Sequence, residues 1–266
     1  MSIDIKTASA EGFTMNYFSF GNGNKTFVIL PGLSVQSVLG AAELIAESYK
    51  LLTDEFTIYV FDRRNELPEK YSVNDMASDT AKIFKILGLK DIYLFGASQG
   101  GMMSILIAAE HPELIKKLML GSSAARITDE QYKNIAKWRD LAVKKDRVNL
   151  NLEMCKLLYP QDLFEKFKDV FKSNANSFTD IDLERFIKFS DGTKGYNAVN
   201  ELTKISCPIL ALNADDDKVL PGAGEDIENI LNNKEDFESH TYTGLGHAAF
   251  DTAPDYKERL LKFSLS

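Results

Sequence analysis

The sequence predicts an α/β fold: a mostly parallel sheet flanked by helices and interrupted by one helical insertion. Three observations predict it. Short apolar runs, TFVIL, FTIYVF, DIYLFG and KKLMLG, alternate with segments carrying apolar residues at helical spacing. Parallel strands need crossovers of that kind. The rhythm stops near residue 124 and resumes only at CPILALN, 207–213. Finally, the 266 residues are 44% hydrophobic and 26% charged, which is enough apolar material for one large core.

Residues 1–20 alternate loosely and predict an opening pair of strands, broken at Glu11-Gly12. GNGNK at 21–25 is a turn signal, and TFVILPG is a buried strand ending on Pro31-Gly32. Residues 36–52 carry Val38, Leu39, Leu44 and Ile45 at helical spacing and predict one helix. FTIYVFD, 56–62, is a second buried strand that ends on Asp62 and Arg63. A helix is predicted over 73–88, with Met76, Ile83, Phe84 and Leu87 on one face and Gly88 as its stop. DIYLFG is the third strand, 99–110 the next helix, closed by His111-Pro112, and IKKLMLGS the fourth strand.

From 125 to 203 no buried strand is evident. The segment is helical in pattern and opens on Thr128-Asp-Glu-Gln131, a capping-box signature. It is too long for an ordinary loop. The division is therefore a core made of 1–124 and 204–266, with 125–203 inserted. After CPILALN come a helix at 223–231, a strand at 236–242 and a terminal helix near 254–264.

The formal net charge is −8 and no basic cluster offsets it. That argues against nucleic acid, whose phosphates are held by Lys and Arg. MSIDIKTASAEGF has neither a basic nor an apolar leader region, and no run approaches a membrane span of about 20 residues. Cys155 and Cys207 stand far apart, too few for a disulfide framework or a zinc knuckle. Cys207 reads as a small buried thiol, and a reducing cytoplasmic setting fits.

Gly96-Ala97-Ser98-Gln99-Gly100 matches G-x-S-x-G between a strand and a helix. A sharp turn there displays the serine hydroxyl, glycines clear the close approaches, and the following helix aims N–H groups at the same point. A serine needs a base, and the base an orienting carboxylate. Of three histidines, His111 ends a helix and His240 lies within a strand. His247, in TGLGHAAF, sits in a loop after the last strand, so it is the candidate base. LALNADDDKVLP supplies three candidate acids, Asp215, Asp216 and Asp217.

With these residues in order Ser…Asp…His, the chain resembles the α/β-hydrolase-fold superfamily, and specifically a serine hydrolase with a helical lid insertion. The resemblance covers essentially the whole chain. Members often carry G-x-D-D-x-h-h-P after this strand, h being apolar, with the second Asp catalytic. Laid on ADDDKVLP, that pattern implies Asp217, with Asp216 as second choice and Ala214 in place of the family glycine. The G-x-G-H of members matches Gly244-Leu245-Gly246-His247.

The resemblance also implies an oxyanion hole built from the backbone N–H groups of Leu33 and Gln99. Pro31 stands where many members have His, and DRRNELPEKYS lacks the glycines of D-x-R-G-x-G-x-S, so the loop after Asp62 is expected to take its own shape. The implied activity is acyl transfer from a small ester or thioester to water, carboxylesterase-like, with no cofactor and no metal. The alternatives are a ligand-binding or receptor-like protein of this fold with little turnover, or a peptidase, C–C hydrolase, lyase or acyltransferase. A small molecule is the expected partner, and a homodimer is the one protein assembly the reading admits. Trp138 is expected to pack within the insertion, Arg139 to be solvated, and Met102 and Met103 either to line a pocket beside Ser98 or to pack the helix after it.

Overall fold

β1 (Lys6–Ala10) and β2 (Phe13–Phe20) form an antiparallel hairpin, turned at Glu11-Gly12 with Gly12 at φ +81°. That left-handed backbone is open to glycine at no steric cost. The computed structural model describes residues 3–266, so the first two positions of the predicted opening segment lie outside the described residues. β3 (Lys25–Leu30), α1 (Ala42–Ser48), β4 (Phe56–Arg64), α2 (Val73–Ile86), β5 (Ile92–Ala97), α3 (Gln99–Glu110) and β6 (Ile115–Gly121) then alternate. Five helices follow without a strand: α4 (Asp129–Val143), α5 (Arg147–Leu158), α6 (Gln161–Asn174), α7 (Asp180–Thr193) and α8 (Val199–Leu202). β7 (Ile209–Ala214), α9 (Ala223–Leu231), β8 (Phe237–Tyr242), α10 (Ala249–Thr252) and α11 (Tyr256–Leu265) complete the chain.

The described strands form one eight-stranded sheet in the order β1-β2-β4-β3-β5-β6-β7-β8. β2 is antiparallel to β1 and β4, and all other neighbours are parallel. Strand order reverses on either side of β3, whose neighbours are β4 and β5. A crevice opens at the carboxyl ends of strands at such a switch point. Here it brings Pro31-Gly32 beside Ala97-Ser98, since Leu30 pairs with Gly96.

Burial divides the core between the two faces of the sheet. Val28, Leu94, Leu118 and Ala211 pack with α2, α3 and the insertion, whereas Phe27, Ile58, Phe95 and Leu212 pack with α11. Alternate strand residues thus reach opposite layers, both of them apolar, which is why these strands read as continuous hydrophobic runs.

Three expectations are corrected. The single helix over 36–52 is instead a 3₁₀ turn at Val38–Ala41, the short α1, and a second 3₁₀ turn at Lys50–Leu52. Leu44 lies 78% exposed, because Ala42, Tyr49 and Leu52, rather than Leu44, are the buried contacts of this segment. β4 does not stop at Asp62 but runs to Arg64, which pairs with Met15. Cys207 is half-buried, while Cys155 is the buried thiol.

Candidate active site

The turn between β5 and α3 is set by its glycines. A Cβ on Gly96 would lie 2.4 Å from Gly100 O, and one on Gly100 would lie 2.0 Å from Leu30 O. Neither position admits a side chain without moving backbone. Ser98, between them, takes φ +52° and ψ −121°, a region costly for any residue with a Cβ. Four hydrogen bonds hold it there, one of them from Met102 N–H to Ser98 O (3.1 Å). Ser98 N–H donates to Gly121 O (2.8 Å), Gly101 N–H donates to Ser98 O (2.9 Å), and the Ser123 hydroxyl donates to Ser98 O (2.9 Å).

Ser98 occupies the N-cap of α3, yet its side chain accepts no capping bond from the helix. A serine at that position ordinarily bonds an N–H of the first turn. The unusual backbone conformation turns this hydroxyl elsewhere, into a cavity of about 30 Å³ that Ser98 lines together with His247 and Gln99. Leu33, Met102, Ile135, Trp138 and Leu220 supply much of its apolar wall.

His247 is 1% exposed and sits after Gly246, at φ +66°, in the loop beyond β8. Its Nδ1 stands 2.7 Å from Asp217 Oδ2, and both side chains are buried. Asp217 Oδ1 accepts from the N–H groups of Val219 (2.8 Å) and Leu220 (2.9 Å). Burial raises the carboxyl's pKa, but His247 and these two N–H groups outweigh burial and leave it below its ordinary value. Its neighbours do other work. Asp216 Oδ1 accepts from Gly246 N–H (3.0 Å), and Asp215 Oδ2 accepts from the Thr243 hydroxyl (2.8 Å). Of the three candidate acids, Asp217 alone meets the imidazole.

Leu33 lines the same cavity, and Gly32 lies so close that a Cβ on it would be 3.1 Å from Ser98 Cβ. Neither Leu33 N–H nor Gln99 N–H donates to an acceptor among the described residues. Gln99 N–H also opens α3, where the helix dipole favours negative charge.

Arg63 is the element that motif reading missed. It is 4% exposed and forms no carboxylate ion pair among the described residues. Its Nη2 donates to Pro31 O (2.8 Å) and Gln99 Oε1 (3.0 Å). Burial draws its pKa down, against the opposing charge of Asp62. Gln99 passes the connection on, its Nε2 donating to Phe189 O (2.9 Å) and Thr193 Oγ1 (2.7 Å) of α7. The only sequence signal for this was a pair of arginines at the end of a buried strand. The glycine-poor loop after Asp62 is also pinned to α7: Arg185 Nη1 donates to Arg64 O (3.1 Å) and Lys188 Nζ to Pro68 O (2.5 Å).

The remaining expectations divide. His111 caps the end of α3 beside Lys85, and His240 lies in β8 with its ring edge-on to Tyr242. Met102 and Met103 are buried, but Met102 also reaches the cavity. Trp138 packs within the insertion and lines the cavity as well, with its Nε1 unbonded among the described residues. Arg139 pairs with Asp191 at 3.0 Å instead of standing free. No cluster of three His, Cys, Asp or Glu able to hold a metal occurs among the described residues, and no described helix is long and apolar enough to cross a membrane.

Residues 25–254 match the profile of the family described as alpha/beta hydrolase fold. The human protein named serine hydrolase BPHL is 24% identical over 231 residues, covering 83% of this chain and 72% of that protein. The crystal structure of MGS-M2, an alpha/beta hydrolase enzyme from a Medee basin deep-sea metagenome library, superposes with a TM-score of 0.85 at 17% identity, covering 98% of each chain. The enol-lactonase from Burkholderia xenovorans LB400 gives a TM-score of 0.82 at 18% identity, over 98% of this chain and all of that one. At such identities the two structures speak for the fold alone.

Proposed function

Because this chain belongs to the α/β hydrolase fold family and is a hydrolase, we propose that it is a serine hydrolase that transfers an acyl group to water, with Ser98, His247 and Asp217 as its triad. One observation carries the reading. Ser98, held at φ +52° with its hydroxyl released from capping, shares a cavity with a histidine whose other nitrogen meets a buried carboxylate. Backbone strain of this kind in a residue with a Cβ clusters at functional sites.

Ser98 Oγ attacks the substrate carbonyl while His247 Nε2 takes its proton. A C–O bond to Ser98 forms, and the carbonyl oxygen becomes an oxyanion facing the N–H groups of Leu33 and Gln99. The C–O bond to the leaving group then breaks, and His247 returns the proton to it. Water repeats the sequence on the acyl-enzyme, releasing the acid and restoring Ser98. Asp217 fixes the imidazole with Nδ1 as the donor and stabilises its charged form. The inserted helices act as a lid over the site, since α4, α5 and α7 contribute Trp138, Leu158 and Thr193 to the cavity wall.

A fluorophosphonate probe tests this. Labelling confined to Ser98, absent in Ser98→Ala, is the expected result, followed by ester hydrolysis lost in the same variant. A folded protein that takes no label would favour a binding protein that only keeps the fold.

A further inference from the structure

A second cavity of about 300 Å³ adjoins the first. Leu33, Met154 and Leu158 line both, so these three side chains form the partition between an inner and an outer chamber. The inner chamber, at about 30 Å³, holds about two water-sized groups. The outer one has the volume of a small-molecule site. It lies between the loop after β3 and helices α5 and α6, and it is open to solvent, with Ser34, Gln36 and Asn174 exposed in its lining.

The two chambers share an electrostatic property. Among the described residues, no Asp, Glu, Lys or Arg lines either of them. Polar groups in the outer chamber are amides and hydroxyls, including those of Asn151 and Tyr159, and the Cys155 thiol. Its aromatic wall is built from Tyr159 and Phe171, whose rings stack at 5.6 Å with 9° between planes, and from the buried Phe178. A charged substrate group entering here would shed part of its hydration and meet no counter-charge, which disfavours it. A ring-bearing neutral group gains apolar contact with this aromatic wall.

We infer that the outer chamber is the leaving-group site, and that the substrate is an ester of a very short acyl group with an uncharged, ring-bearing alcohol. This rests on the reading of Ser98 as nucleophile. The acyl group stays bonded to Ser98 after the first step, so it belongs in the smaller, less open chamber that Ser98 lines. The alcohol departs first, taking the proton from His247, so it belongs in the chamber that opens to solvent.

The test compares four esters, each rate divided by its rate of alkaline hydrolysis to remove intrinsic reactivity: phenyl acetate, phenyl hexanoate, 4-acetoxybenzamide and 4-acetoxybenzoate. The expected result is a kcat/KM about tenfold or more lower for hexanoate than acetate, and about tenfold or more lower for the benzoate than the benzamide. Leu158→Ala, which opens the partition, raises the hexanoate-to-acetate ratio. Asn174→Arg, at the solvent end, raises the benzoate-to-benzamide ratio about fivefold or more. Equal rates for the paired esters, or ratios that neither variant moves, overturn the chamber assignment while fluorophosphonate labelling of Ser98 leaves the nucleophile standing. Absence of both labelling and ester cleavage overturns the two together.

Discussion

Gln99 meets Thr193 at 2.7 Å, a hydrogen bond between residues far apart in the chain that ties the first turn of α3 to the last residue of α7. The same amide accepts from Arg63, which also holds Pro31 O. The loop after β3 and the first turn of α3 are thereby fastened to one buried guanidinium and to the insertion.

Gln99→Leu keeps the backbone N–H but removes this junction. Leaving Arg63 and Thr193 with fewer partners costs about 1–3 kcal/mol, or a drop in Tm of roughly 2–10 °C for a chain of this size. On the proposed mechanism kcat falls more than KM rises, because the misaligned N–H contributes chiefly to the transition state. Thermal unfolding and steady-state kinetics check both parts; an unchanged kcat would remove Gln99 from the positioning role.

Ser98→Gly relieves the backbone strain at φ +52°. The expected outcome is a protein more stable than wild type by about 1 kcal/mol and slower in turnover by about 10⁴-fold or more. Ser98→Ala keeps the Cβ, hence the strain, and loses the same activity with little change in Tm. A Gly variant less stable than the Ala variant contradicts this account.

Gly100→Ala places a Cβ 2.0 Å from Leu30 O, against rigid strand backbone. Destabilisation of about 3 kcal/mol or more is expected, seen as a lowered denaturant midpoint. Gly40→Ala meets nothing within 4 Å and has no positive φ. It is expected to be neutral or to stabilise by a few tenths of a kcal/mol, so the pair separates steric from conformational effects.

Asp217 titrates below its ordinary value when folded. Its contribution is therefore present in full above the unfolded carboxylate's pKa of about 3.9 and is lost as pH falls through the lower folded value. The stability advantage of wild type over Asp217→Asn should shrink steadily as pH falls below about 4. Urea unfolding of both proteins across about pH 2–5 measures it; a gap that widens as pH falls from about 4 to about 2 reverses the sign and refutes the assignment.

Burial pushes the Cys155 thiol up to about 12 and that of Cys207 up to about 11. At pH 8 the thiolate fraction of either is about one in a thousand or smaller. Iodoacetamide should leave the native protein almost unmodified and label both cysteines after denaturation in guanidinium, as read by intact mass.

The sequence by itself determined the order of strands and helices, the turn at Ser98 and the capping box at Thr128, because periodicity, glycine placement and capping chemistry act over a few residues. Local spacing also singled out His247. It misplaced Leu44 for the same reason: helical spacing says which residues share a face, and only packing decides whether that face meets a core. Among Asp215, Asp216 and Asp217, a pattern favoured the third, but only the fold shows that its carboxylate alone reaches His247 at 2.7 Å. The Arg63–Gln99–Thr193 chain left only the arginine pair at the end of β4 as its mark, and the partition formed by Leu33, Met154 and Leu158 left none. Such contacts join residues from separate strands and helices. Their distances are fixed by how those elements stack on the sheet, a long-range outcome that no short window of sequence encodes.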